Sequence, residues 1–234
     1  MILFLASKLG YYDPEIGKTK PTRLDNRFGF LNHLKNSLKD TKKVVYVAND
    51  PQDKENSLRA NAFFEALKLS GLEFETKCIL DGHTKRLAKE ILSGASLIYL
   101  AGGKVPKQID FFNEIKLKKN LEGFNGVIVG ESAGAICLAE NVYNYPETES
   151  ELSDPSYLTG LGFTNINIIP HFNLKNGNDY AEEKLNIMQI YKENSYRFCF
   201  YCLPNFSFIK QENDKIELFG PVYEMQNKNI KKIN

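Results

Sequence analysis

The stretch 124–142, FNGVIVGESAGAICLAENV, constrains this chain more than any other. Val127, Ile128 and Val129 read as a buried strand, Gly130-Glu131-Ser132-Ala133-Gly134 as a tight turn, and 135–142 as a helix. In that strand–turn–helix context G-x-S-x-G predicts a nucleophile elbow. The turn is so tight that its central residue is forced into strained backbone and its neighbours must be small, which Gly130, Ala133 and Gly134 satisfy. Such a turn lifts the Ser132 hydroxyl above the strand end, at the positive end of the following helix. The plainer alternative is a glycine-rich turn whose serine only caps the helix.

The rest of the chain alternates in the same way. Apolar strand patterns at 2–6, 44–48, 73–80, 97–101 and 127–129 are interleaved with helical patterns at 24–38, 55–69, 84–92 and 105–118. A polar loop marked by Gly and Pro fills 7–21. Beyond the elbow come a strand at 165–169, a helix at 179–192 and three strands at 198–202, 206–210 and 215–219, the last two joined by the turn Asn213-Asp214. This order predicts an α/β fold: a three-layer sandwich with a mostly parallel central sheet, helices on both faces and a C-terminal β-hairpin. No repeat or low-complexity linker divides the 234 residues, so one domain over 1–234 is expected.

Thirty Lys+Arg against 29 Asp+Glu give a net charge of +1, which supplies no bulk drive toward nucleic acid or an anionic membrane. The apolar start MILFLASKLG is too short for a signal-peptide core, and no run approaches the ~20 apolar residues of a membrane span, so a cytoplasmic protein is expected. Cys78 and Cys137 read as small buried hydrophobes. Cys199 and Cys202 lie in a strand pattern without a second Cys or His pair, so core packing is favoured over zinc or redox work. The Lys-rich tail after Gln226 reads as solvated.

In open α/β sheets, sites gather at the carboxyl ends of the strands. Gly102-Gly103, Ser132 and His171 each follow such an end. A serine hydroxyl needs a base to accept its proton. Of the three histidines, His33 lies within a helix and His83 in a turn, whereas His171 ends a β-run and can reach the rim. An oxyanion formed on attack by Ser132 needs backbone N–H donors, for which Ala133 and Gly102 or Gly103 are placed. An acid that orients the imidazole is sought among Glu147, Glu149, Glu151 and Asp154, most of which must be solvated charges.

At Leu100-Ala-Gly-Gly-Lys104, Gly130-Glu-Ser-Ala-Gly-Ala135 and Pro170-His-Phe172 the chain resembles the peptidase E/cyanophycinase family of serine peptidases, whose fold is similar to class I glutamine amidotransferases. The resemblance implies Ser132 as nucleophile and His171 as base. An Asp154-Pro155 step similar to one in the family places the triad acid at Glu149. The chain departs from the family at three places. Lys104 stands where Asn is usual, and no arginine occupies the place near Ala181 that aspartyl-specific members use. Pro204-Asn205-Phe206-Ser207 replaces a Glu-Gly-Ser/Thr step.

The expected function is therefore a serine peptidase, dipeptidase-like, acting on short peptides without a cofactor or metal, as a monomer or homodimer. The alternatives are a weakened relative serving as a small-molecule or protein binding module, and an amidase or esterase. A glutaminase is disfavoured because that chemistry puts a cysteine at the elbow.

Overall fold

The computed structural model describes all residues except Pro14, Pro155 and Glu183, and leaves the side chains of 17–19 aside. Pro155 of the Asp154-Pro155 step therefore lies outside the described residues. A seven-stranded sheet runs in the order Lys215–Phe219, Phe208–Glu212, Ile2–Ala6, Val127–Glu131, Leu97–Leu100, Lys43–Val47, Thr76–Leu80. The five strands from Ile2–Ala6 to Thr76–Leu80 are parallel, and the C-terminal hairpin adds antiparallel to Ile2–Ala6. The α/β class, the mostly parallel sheet and the hairpin are as the sequence predicts.

The four inner strands, Ile2–Ala6, Val127–Glu131, Leu97–Leu100 and Lys43–Val47, are buried on both faces because they are apolar at successive positions. Phe4, Val44, Tyr46, Tyr99 and Val129 pack on one face against the helices Phe30–Ser37 and Asn56–Leu69. Leu5, Val45, Val47, Leu100 and Ile128 face the other way, toward the helix Val105–Glu114. A second sheet, Asn167–Pro170, Phe200–Leu203, Tyr223–Gln226 and Asn229–Lys232, contributes to this second core. Among the described residues no helix is long and apolar enough to cross a membrane.

Several elements depart from the sequence reading, each for a local reason. The helix expected over 135–142 is only Ala133–Ile136. The amides of Gly160, Leu161, Gly162 and Phe163 donate to the carbonyls of Glu140, Cys137, Ala139 and Leu138, replacing helical bonds, and Asn141–Tyr143 pairs as a strand. The helix expected over 24–38 starts at Phe30, after Gly29 at φ 80°. That over 105–118 breaks at Lys116, whose φ is 50°. That over 179–192 is confined to Ile187–Asn194, with the Asn186 side chain accepting from the Gln189 N–H as its cap. The tail after Gln226 is largely exposed, as expected, but is also ordered as the outer strand Asn229–Lys232. Within 7–21, Tyr12–Asp13 pairs with Gly17–Pro21.

Candidate active site

Ser132 follows Val127–Glu131 at φ 52°, ψ −117°, a strained conformation for a residue with a side chain. The surrounding packing holds it there. Its N–H donates to the Ala6 carbonyl at 2.9 Å. Gly134 lies so close to the Leu100 carbonyl that a Cβ would overlap it, so only glycine lets the helix start over the strand end. The tight turn read from G-x-S-x-G is thus present in its backbone geometry.

His171 arrives by a second route. Asn167–Pro170 pairs in parallel with Phe200–Leu203, with Pro170 opposite Leu203, so the residues that follow both strands emerge side by side. His171 has φ 56°. Its N–H donates to the Ser7 Oγ at 2.8 Å, and its carbonyl accepts from the Asp179 N–H at 2.9 Å. The imidazole Nε2 is 3.0 Å from Ser132 Oγ, and Nδ1 is 2.7 Å from Asn205 Oδ1. The Tyr180 ring stands edge-on to the imidazole at 4.6 Å. His171 is 8% exposed. Burial lowers its pKa, the bond to Asn205 raises it, the nearby Lys8 charge lowers it and Asp179 raises it, with a net fall below the ordinary value.

The acid expected from the resemblance lies elsewhere. Glu149 is exposed, pairs with Lys184 at 3.3 Å, and has its own N–H bonded to Glu182; it does not meet His171. Glu151 pairs with Lys104 at 2.7 Å, and Glu147 is half-buried, its pKa raised by burial and then by Glu151. The imidazole partner is Asn205, at the place where the resemblance finds a carboxylate missing. In the short helix Glu149–Ser153, Glu151 lines the Lys104 side of the cleft, while Glu149 stays in solvent beside Lys184.

Gly102 and Gly103 stand beside Ser132: a Cβ on Gly102 would come within 3.9 Å of the Ser132 Oγ. Gly103 has φ 151°, which glycine alone adopts readily. Two residues that the sequence reading passed over shape this turn. The Asn49 side chain accepts from the Lys104 N–H at 2.9 Å and donates to the Lys104 carbonyl at 3.1 Å and to Gln108 Oε1 at 3.0 Å. Gln108 in turn donates to the Ala101 carbonyl at 2.9 Å. Both are buried. Asn49 directly follows a buried strand, a position from which a polar residue at the sheet's carboxyl edge could have been suspected. Among the described residues, the amides of Gly103 and Ala133 donate to no other group.

Two recesses meet at Ser132. One, lined by Gly103, Lys104, Ala133, Tyr145, Glu147 and Glu151, is narrow, about 40 Å³. The other, about 220 Å³, is lined by Lys8, Tyr12, Tyr46, Arg59, Glu131 and His171 among others. Glu131 lies half-buried at its floor. Burial raises its pKa, opposed by bonds from Tyr99 and the Leu9 N–H and by the Lys8 charge. Burial works to lower the pKa of Lys8, but its bond to Tyr180 and the surrounding negative groups raise it overall, so it stays cationic. A hydroxyl with an in-line imidazole, beside two free amides and a recess of this size, can be deprotonated as it attacks a carbonyl.

A search of solved structures finds the same fold in a protein described as a candidate peptidase E from Listeria monocytogenes EGD-e. The TM-score is 0.59 at 17% identity, over 93% of this chain and 96% of that one. No curated protein sequence matches the chain. Peptidase family S51 matches residues 22–219, most of the chain. This chain therefore belongs to peptidase family S51 and is a serine peptidase.

Proposed function

We propose that the protein hydrolyses short peptides, as a dipeptidase does, through an acyl-enzyme on Ser132 with His171 as general base. The observation that carries this reading is the 3.0 Å contact between Ser132 Oγ and His171 Nε2 at a strained strand–helix turn. Ser132 Oγ attacks the scissile carbonyl as its proton passes to Nε2. The carbonyl oxygen, now negative, is held by the Gly103 and Ala133 N–H groups. His171 then gives its proton to the departing amine, and water reverses the sequence to free the acid. The neutral Asn205 orients the ring, a role amides fill in other nucleophile–His sites. Its neutrality is also the observation behind a second reading, a weakened relative that binds rather than cleaves. A fluorophosphonate probe separates the two. Labelling of Ser132 that disappears in His171→Ala supports the peptidase, and well-folded protein that stays unlabelled overturns it. Relative rates on dipeptides and simple esters test for an esterase. The four free cysteines fit a reducing compartment, so the cytoplasm is the proposed location.

His171 also sets the direction of the substrate. The leaving amine must lie on its side, so the leaving residue enters the recess that holds Lys8 and Arg59. Arg59 is already paired with Asp53 and Glu55, whereas the Lys8 ammonium gives one hydrogen bond to Tyr180 and keeps protons for a carboxylate. About 220 Å³ is below the ~300–1,000 Å³ of a drug-sized site and suits one residue. Amidating the C-terminus of a dipeptide should thus lower kcat/KM about 10- to 100-fold, the worth of one charged hydrogen bond. Lys8→Met should abolish that difference. Equal rates on acid and amide in the wild type would place the carboxylate elsewhere.

The base must be neutral, so kcat/KM rises with pH through the His171 pKa of the free enzyme. Net depression of that pKa puts the acid limb below about pH 6.5, the ordinary histidine value. Lys8→Met removes a positive neighbour and should move the limb to higher pH. A limb that stays fixed would mean that another group controls it.

A further inference from the structure

The Asn205 side chain touches more than the imidazole. Its Nδ2 donates to Asp179 Oδ2 at 2.7 Å, while its Oδ1 faces His171 Nδ1 at 2.7 Å. Asp179 is itself fixed three ways: Oδ2 by Asn205, Oδ1 by the Asn173 Nδ2 at 2.9 Å, and its N–H by the His171 carbonyl. From these contacts we propose that Asp179 is a positioning residue that sets the proton arrangement of the Ser132–His171 pair through Asn205. The inference rests on the reading of His171 as the base.

The logic is one of donors and acceptors. An ionised carboxylate only accepts, so Asp179 compels Asn205 to turn its NH₂ toward it and its oxygen toward His171. That oxygen only accepts, so Nδ1 of the neutral ring must carry the proton. Nε2 is then left with its lone pair, facing Ser132 Oγ at 3.0 Å. Without a fixed acceptor at 179 the amide can flip. A flipped amide puts NH₂ against Nδ1, favours the proton on Nε2, and removes the acceptor that Ser132 needs. Asp179 is exposed, so solvent screens its charge; its effect is exerted through the direction of the hydrogen bonds. It also explains why an amide suits position 205, because a carboxylate there would face another at hydrogen-bond distance.

A charge exchange tests this. Asp179→Asn keeps the shape but lets the amide at 205 flip, and kcat should fall about 10- to 100-fold with KM within twofold. Asn205→Asp alone sets two carboxylates against each other and should also lose activity. In the double variant the carboxylate lies directly on Nδ1. The amide now at position 179 donates to it and still accepts from Asn173, so kcat should return to within about fivefold of wild type. The acid limb of kcat/KM should then lie at higher pH than in wild type, because a full negative charge touches the ring. A merely structural Asp179 predicts no such rescue and no shift. Wild-type kcat in Asp179→Asn, or a double variant no better than that single variant with all three melting alike, overturns the proposal. If instead wild-type Ser132 takes no fluorophosphonate, it is the underlying assignment of His171 that fails.

Discussion

Replacing Ser132 by alanine is expected to lower kcat on a dipeptide by about 10⁵-fold or more while leaving the fold intact. On the proposed mechanism the substitution removes the atom that bonds the acyl group, which sets this magnitude; what survives is the binding and oxyanion contribution. His171→Ala should cost nearly as much, because the hydroxyl without its base is a poor nucleophile. The two residues act as one unit, so the double variant should be no slower than either single one, which is the result that distinguishes a dyad from two independent contributions. Stability should change little. The Ser132 side chain makes one hydrogen bond to the ring, worth about 1 kcal/mol, or a shift of a few degrees in melting temperature for a chain of this size. Turnover in Ser132→Ala within tenfold of wild type would move the chemistry to another group. A fall of more than about 10 °C would make Ser132 a structural residue.

The parts of this site that were legible in the sequence are those whose constraint is local. The turn at Gly130–Gly134 announces itself because tight backbone needs small residues, and Gly102-Gly103 does so for the same reason. His171 was found because a lone histidine after a buried strand falls at the sheet's carboxyl edge. The partner of Nδ1 was not found, because it depends on tertiary register. The parallel pairing of Asn167–Pro170 with Phe200–Leu203 brings Asn205 beside a histidine 34 positions away. The Asp154-Pro155 register of the resemblance pointed to Glu149, yet Glu149 pairs with Lys184 and its neighbour Glu151 with Lys104, so neither meets the ring. The start of the helix expected over 179–192 fails for a similar reason. The composition there suits a helix, but the bonds of Asp179 to His171, Asn173 and Asn205, and of Tyr180 to Asn178, hold it in another conformation. Tertiary hydrogen bonds overrode propensity, as they did after Ile136.

Gly103 offers the second large effect, because its replacement by alanine strikes the backbone itself. Its φ of 151° disfavours any side chain, and a Cβ would overlap Asn49 Oδ1, the atom that accepts the Lys104 N–H. Either the turn rotates or Asn49 withdraws, and withdrawal leaves a buried amide network broken at a cost of about 1–3 kcal/mol. If the Gly103 N–H holds the developing oxyanion, rotation of the turn removes it where charge accumulates, and kcat should fall about 10²–10³-fold. KM should change much less, since a neutral ground-state carbonyl gains little from that donor. Asn49→Ala separates the two causes. It opens space and loses the clamp but leaves the glycine free to keep its φ, so its kcat should lie between wild type and Gly103→Ala. Steady-state kinetics on one dipeptide, with the fluorophosphonate labelling rate and a melting curve for each variant, reads all three effects. A folded Gly103→Ala protein with wild-type kcat would transfer the oxyanion role to other donors, because a rotated amide cannot stabilise a charge it no longer faces.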